Sequence, residues 1–409
     1  VRILFTFFGT RPHLYPLVPL AWAFRAAGHD VRLASTPMWA SDMAYSGLPT
    51  VTVGGSPKVT SLARGELADT MFTQQSWPTD WAARMDRLDR GRLAYLESIG
   101  RYLVAAAAAV VDELVVFARD WAPDVVVYDS FSYAGPATAA ALGIPAVRHL
   151  SGTDSAQRLE FVQPGPEPLP EYIALFERFA VDVQTEPQAT VDPTPPSLRL
   201  VTPPDLLGMR YIPYNGPGTT PDGLIGQRPR PRVCVTWGHT ISAVGGDGTR
   251  PFREAIDAIA ALGMDCLVAT SAVEVERLGP LPPSARALAS VPLHLVLPYC
   301  DAIVHQGGDG TALTAATAAI PQLVIAASPE ADMCGGRIAN ADAGMYLRDP
   351  DLRADPASPT VIRTAVAELL SNSTYEDGAA RLHEEINSQP TPAEVVQTLV
   401  STTLAPVGG

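Results

Sequence analysis

The chain opens on an apolar run, Arg2–Phe8, with no polar alternation, the pattern of a strand buried on both faces. From Tyr15 to Ala27 the apolar positions adopt a helical period, with Leu20, Phe24 and Ala27 on one face. Gly28 stops that helix, and Asp30–Ser35 reads as the next strand. The stretch Gly54–Arg92 is polar and irregular. After it come an Ala-rich helix from about Arg92 to Trp121, a strand Val125–Tyr128, a helix Ala134–Leu142 closed by Gly143, and a strand Ile144–His149. Between about Gln184 and Arg232 prolines crowd the chain, Pro193, Pro195, Pro196, Pro203 and Pro204 among them, a density that reads as a connection between domains. The alternation then restarts: strand Val233–Thr236, a Gly-rich loop at Gly245–Gly248, helix Pro251–Leu262, strand Asp265–Thr270, strand Ala302–Val304, helix Thr311–Ala319 and strand Gln322–Ile325. The pattern predicts an α/β protein of two Rossmann-like, doubly wound domains facing each other across a cleft. The expected boundaries are 1–205 for the first domain, 206–231 for a Pro-rich linker and 232–388 for the second domain. Residues 389–409 are expected to form a helix and tail that pack back on the first domain.

Length supports this division, since 409 residues exceed one ordinary core. Hydrophobic residues supply 47% and charged residues 18%, so the chain can bury two cores. A formal net charge of −14 argues against a nucleic-acid partner, and any bound anion must be held by local dipoles and a few placed groups. The longest apolar run, Tyr102–Ala118, carries Asp112 and Glu113 in its middle and does not read as a membrane span. The first residues read as a strand, not as a secretory signal. Cys234, Cys266, Cys300 and Cys334 show no CxxC pair and read as reduced thiols used as small hydrophobes. A cytoplasmic protein is the expectation.

Two segments carry candidate chemistry. In His305-Gln306-Gly307-Gly308-Asp309-Gly310-Thr311 a strand runs into a Gly-rich turn that opens a helix, where backbone amides and the helix dipole can meet an anion. The segment has neither the Gly-Lys-Ser/Thr ending of a Walker loop nor the dinucleotide spacing. The preceding His305 ring can donate to a phosphate oxygen; a purely structural turn remains the alternative. Near the N-terminus, His13 follows the first strand within Gly9–Pro16, at the cleft end of the sheet. It reads either as a base near neutral pH or as the cap of a turn. By spacing, Asp129 is equally a helix N-cap or a charged partner. No acidic pair or His/Cys cluster has metal-ligand spacing, so no metal or other cofactor is expected.

Together Gly9–Pro19, Pro123–Val147, Val291–Pro298 and His305–Asp332 resemble the bacterial natural-product glycosyltransferases of the GT-B fold. The nearest branch attaches deoxysugars to macrolide or aromatic polyketide aglycones. The resemblance implies a general base at His13 with Asp129 as its orienting acid. It implies a diphosphate cradle of His305, Gly308, Gly310 and Thr311, with Gly238 and Thr240 as further contacts. It also implies a nucleobase seat at Val291 and Leu293 and a donor-sugar contact at Asp332. His239, beside Gly238, either adds a donor to the diphosphate or packs. Two positions depart from the family. Pro12 stands where glycine usually precedes the histidine, which fixes φ next to the base. Met333 stands with Asp332 at the donor-sugar position in place of the expected glutamine, and its thioether leaves at least one sugar hydroxyl contact absent, most simply accounted for by a deoxysugar donor. Phe72, Trp77 and Trp81, with Tyr172 and Phe176, suit a greasy aglycone, or else anchor their loops.

The implied activity is metal-independent, inverting transfer of a deoxysugar from a dTDP-activated donor to a hydroxyl, or an aromatic carbon, of a polyketide-type aglycone in antibiotic biosynthesis. No membrane partner is expected, and a homodimer is compatible with it. The alternatives are a sugar-nucleotide epimerase of the same fold and a non-catalytic nucleotide-sugar-binding auxiliary protein.

Overall fold

The computed structural model describes residues 1–55, 77–152, 158–203, 205–226, 228–237 and 249–403. The first domain carries β1 (Arg2–Thr6), β2 (Asp30–Ser35), β3 (Thr50–Thr52), β4 (Val125–Asp129), β5 (Ala146–His149), β6 (Ala189–Asp192) and β7 (Leu206–Gly208). The second carries β8 (Arg232–Thr236), β9 (Asp265–Thr270), β10 (Ala285–Ala289), β11 (Ala302–His305), β12 (Gln322–Ala326) and β13 (Gly344–Arg348). The strand orders are β3-β2-β1-β4-β5-β6-β7 and β10-β9-β8-β11-β12-β13, with parallel pairing inside each sheet. Apolar strands such as β4 and β12 are buried along their whole length because helices cover both faces. The direction of winding reverses between β1 and β4 in one sheet and between β8 and β11 in the other. Those reversals open a crevice at the carboxyl ends of the strands.

Several elements differ from their sequence reading. The Ala-rich stretch forms two helices, Arg90–Ala108 and Val111–Trp121, not one. Asp112 and Glu113 fall in the first turn of the second helix, where its dipole favours acids, and Glu113 accepts a hydrogen bond from the Gly54 amide at 2.8 Å. The Pro-rich segment contributes β7, which pairs with β6, so residues 206–208 belong to the first sheet and not to the linker. As an edge strand it tolerates the prolines before it. Tyr172 and Phe176 lie on a helix, Pro170–Glu177, and are 2% and 0% exposed. They are core residues, because a helical spacing of four points both rings inward.

The last helix, Pro392–Thr402, starts with a capping box in which Thr391 and Glu394 satisfy each other's backbone amides. Its Val395, Val396 and Leu399 are buried in the first domain's core beside Leu17, Val18 and Leu20. The four cysteines are free and buried. Among the described residues no helix is long and apolar enough to cross a membrane.

Because Leu399 is 1% exposed in that core, Leu399→Ala is expected to destabilise the first domain by about 2–4 kcal/mol. Denaturant unfolding measures this, and a change below about 1 kcal/mol would show that the terminal helix is only loosely attached.

Candidate active site

β1 and β4 are neighbours across the first strand-order reversal, with Thr6 opposite Tyr128. At the carboxyl end of β4, Asp129 meets His13 from the helix after β1: Nδ1 of His13 lies 2.7 Å from Oδ1 of Asp129. Asp129 is 1% exposed and is held by two further donors, the Phe8 amide at 2.5 Å and the Phe131 amide at 3.2 Å. A carboxylate so fixed holds the proton of the histidine on Nδ1 and leaves the Nε2 lone pair as the basic site. Pro12 does not disturb this arrangement. It occupies the first turn of a short helix, Arg11–Leu14, where a missing amide proton costs nothing, and Arg11 ties that helix to Asp42 at 2.7 Å. Phe8 and Phe131 flank the imidazole, with ring centroids at 5.5 and 5.0 Å, and Tyr102 packs edge-on against Phe8 at 5.9 Å. Sequence reading missed this aromatic wall, although Phe8 and Phe131 lie next to the two residues it singled out.

The second domain presents its own reversal opposite. β11 ends at His305, and the helix Asp309–Thr317 begins after Gly307 and Gly308. Gly307 has a φ of 91°, and a Cβ there would lie 2.7 Å from that of Ala331, so both the turn and the close approach require glycine. Gly308 is the N-cap, and its carbonyl accepts from the Thr311 and Ala312 amides, so the helix opens directly after the glycines with its dipole directed at the turn. Gly310 and Thr311 are part-buried in that same turn. Gly152, beyond β5, approaches Asp309 so closely that any side chain at 152 would collide with it. The carboxyl edges of the two sheets therefore face each other.

His305 corrects one expectation. It is 0% exposed; its Nδ1 accepts from the Gly307 amide at 3.2 Å and its Nε2 donates to Gln322 Oε1 at 3.0 Å. The Gln322 amide in turn donates to the Ala312 carbonyl at 3.2 Å. Neither ring nitrogen is left to donate to a phosphate, because the last residue of a buried strand points under the helix. The ring shapes the turn instead. Burial pushes its pKa down to about 4. Gln322 was invisible to motif reading because its partners are distant in sequence.

Asp332 lies in the first turn of the helix Pro329–Asn340. Its Oδ1 accepts from Tyr346 Oη at 2.5 Å and stands 3.6 Å from Arg348 Nε; the Trp77 amide donates to the same carboxylate. Burial raises the Asp332 pKa, and Tyr346, Arg348 and the Trp77 amide oppose that rise. Tyr346 and Arg348, on β13, were not anticipated; their two-residue spacing on one strand face was the available signal. Met333 is fully buried in the first domain's aromatic cluster and does not face the cleft, a correction to its reading as a sugar contact. Trp77 and Trp81 are corrected too. They are 5% and 0% exposed, stack edge-on at 5.1 Å, and Trp81 Nε1 donates to the Pro329 carbonyl at 3.0 Å. They cement the two domains and cannot line an open acceptor surface. Val291 and Leu293 are part-buried between β10 and β11, on the cleft side. Phe72, Gly238, His239 and Thr240 lie outside the described residues.

Residues 22–238 match the family model for the erythromycin biosynthesis protein CIII-like N-terminal domain, and residues 253–402 match that for the C-terminal domain. The chain is 36% identical to the 10-deoxymethynolide desosaminyltransferase of Streptomyces venezuelae, over 98% of this chain and 96% of that one. It is 34% identical to the TDP-daunosamine transferase of Streptomyces peucetius, over 100% and 99% of the two chains. The solved glycosyltransferase VinC in complex with dTDP superimposes with a TM-score of 0.80 at 30% identity, covering 98% of this chain and 99% of VinC. The spinosyn rhamnosyltransferase SpnG, complexed with spinosyn aglycone, gives 0.80 at 26% identity, covering 98% and 100%.

The glycosyltransferases among its relatives, together with two facing Rossmann-like domains that match those of VinC and SpnG, make this protein a glycosyltransferase of the GT-B fold. It belongs to the erythromycin biosynthesis protein CIII-like family.

His149 and His305 are both buried, and burial holds each pKa down to about 4 against 6.5 in an unfolded chain. The unfolded state therefore binds more protons than the folded state between those values, and stability falls as pH drops from 6.5 towards 4. Each ring withdraws on the order of 3 kcal/mol across that window. His149→Asn is expected to flatten the loss, as read from unfolding free energies at several pH values; an unchanged slope would mean that the ring is already charged in the fold.

Proposed function

We propose that this chain transfers a deoxysugar, with inversion and without a metal ion, from a dTDP-activated donor to a hydroxyl of a polyketide-type aglycone in antibiotic biosynthesis. The observation that carries the reading is the His13–Asp129 pair, held at 2.7 Å on the edge that faces the Gly-rich turn. The sugar transferases among its relatives, and the dTDP bound to VinC, support the donor class.

The acceptor hydroxyl donates its proton to Nε2 of His13. Its oxygen forms the new bond to the anomeric carbon from the face opposite the diphosphate. The bond from that carbon to the diphosphate breaks, and its electron pair leaves with the diphosphate. The imidazolium that results stays paired with Asp129, so the charge it gains is already countered. The growing charge on the leaving group meets the first-turn amides of the helix Asp309–Thr317, an arrangement aligned before the reaction begins. His305 and Gln322 keep those amides in place from behind. Asp332 supplies one contact for the sugar, and the buried thioether of Met333 supplies none, in keeping with a donor poor in hydroxyls. Phe8, Tyr102 and Phe131 offer an apolar wall beside the base for a hydrophobic acceptor.

His13→Ala is expected to cut turnover by roughly 10²–10⁴ while leaving dTDP affinity within about twofold. Asp129→Asn is expected to lower turnover in the same direction. Single-turnover assays and calorimetry measure the two effects, and an alanine variant within about tenfold of wild type would remove His13 from the role of base. In a thermal-shift panel of nucleoside diphosphates, dTDP is expected to raise the transition more than UDP does; equal shifts would count against the donor class.

A further inference from the structure

The segment joining the sheets does more than connect them. Tyr211 Oη donates to the Gly310 carbonyl at 3.3 Å and lies 3.4 Å from Thr314 Oγ1, both on the helix that opens at the anion turn. Four residues on, Oδ1 of Asn215 accepts two hydrogen bonds from His294, one from its amide at 3.0 Å and one from its ring Nδ1 at 3.1 Å. The Asn215 amide nitrogen donates to Thr314 Oγ1 at 3.3 Å, and that hydroxyl donates to the Gly310 carbonyl at 2.6 Å. A Cβ at Gly218 would lie 2.5 Å from Pro292, so the backbone rests directly on the turn 291–295. On the other side, Tyr214 packs edge-on against Tyr15 at 5.3 Å and donates to the Tyr45 carbonyl at 3.0 Å. Gly216 makes the bend between these contacts with a φ of 95°.

One side chain thus ties together two segments with no covalent reason to keep their spacing, the turn holding Val291 and Leu293 and the helix following the glycines. We propose that Asn215 is a positioning residue of the donor site. It sets the distance between the part that receives the base and the part that receives the diphosphate, so that a nucleoside diphosphate meets both at once. The proposal rests on the donor reading of these two segments. Two neutral hydrogen-bond acceptances and one donation, all part-buried, are enough to change affinity when lost, since about 1.4 kcal/mol is tenfold. His13 and Asp129 make no contact with Asn215, so the chemical step has no reason to change.

The test is calorimetric titration of the full chain with dTDP, together with donor and acceptor kinetics. Asn215→Ala is expected to weaken dTDP binding and raise donor KM by about tenfold, with kcat within about threefold and acceptor KM within about twofold. Asn215→Asp keeps the acceptor facing His294 and loses the donation to Thr314. It is expected to fall between wild type and alanine, at about threefold. A residue that merely stabilises the fold would lower the thermal transition of the free protein and leave the Kd of the folded fraction unchanged. An alanine variant within about twofold of wild-type Kd overturns the proposal, as does a loss confined to kcat. Should the alanine variant not fold, the aspartate variant decides by the same criterion of about twofold. Absence of dTDP binding by the wild-type protein overturns the donor reading itself, and this inference with it.

Discussion

Everything at the active site depends on one topological constraint, the reversal of winding direction in each parallel sheet. Helices that follow β1 and β4 leave on opposite faces, so the chain ends above those two strands separate and open a crevice. His13 and Asp129 stand on either lip of that crevice, close enough for a 2.7 Å contact because their strands are hydrogen-bonded neighbours. The second sheet repeats the device between β8 and β11 and puts a helix start behind a Gly-rich turn there. The contact of Gly152 with Asp309 then sets edge against edge. The His13–Asp129 pair and the Gly-rich turn come to face each other, one on each domain.

Electrostatics favours this division. A chain with net charge −14 cannot attract a diphosphate by its overall field. Burial raises the Glu330 pKa, and the nearby Asp309 and Asp332 raise it further. A diphosphate in such surroundings must be met by fixed dipoles at short range. Amides at a helix start are dipoles of this kind, and the neutral His305 behind them adds no charge that would need its own counterion. Buried Gln322 completes the same neutral network.

How much of this could be read from the sequence follows the range of the interactions. β2, β9 and the helix Ala134–Leu142 match their expected bounds, since each is set by local period and an adjacent stop signal such as Gly143. Position alone left His13 and Asp129 open between a chemical role and a cap, and only the family resemblance singled them out as a pair; the fold brings them together because Asp129 ends β4 beside the helix Arg11–Leu14. The break at Ala109–Val110 was not legible, because Ala-rich sequence favours helix on both sides of it and the break lies against Gly54, distant in sequence, which packs on Ala109 and Val110 and donates to Glu113. The role of His305 was misjudged for the opposite reason. A motif shows which residues adjoin the glycines, whereas the direction of the ring depends on Gln322, 17 positions away. Asn215 lay in a stretch whose prolines invited a reading as mere connection, and its partners, His294 and Thr314, are 79 and 99 positions distant.

The aromatic residues show the same limit with a consequence for the acceptor. Trp77 and Trp81 sit in a polar, irregular stretch, which suggests side chains available to a ligand. An indole left in water forfeits a large hydrophobic gain, and both rings instead close the seam between the domains, with Trp81 satisfied by the Pro329 carbonyl. An apolar acceptor must therefore be recognised elsewhere, within reach of the Nε2 of His13. Phe8 and Phe131 meet that condition by construction, since their backbone amides hold Asp129 while their rings flank the imidazole. The same two residues that fix the base thus shape the surface on which the nucleophile would rest. Under the proposed function, a change in either ring would alter acceptor fit and the orientation of His13 together, so acceptor choice at this wall would be constrained by the need to keep the His13–Asp129 contact intact.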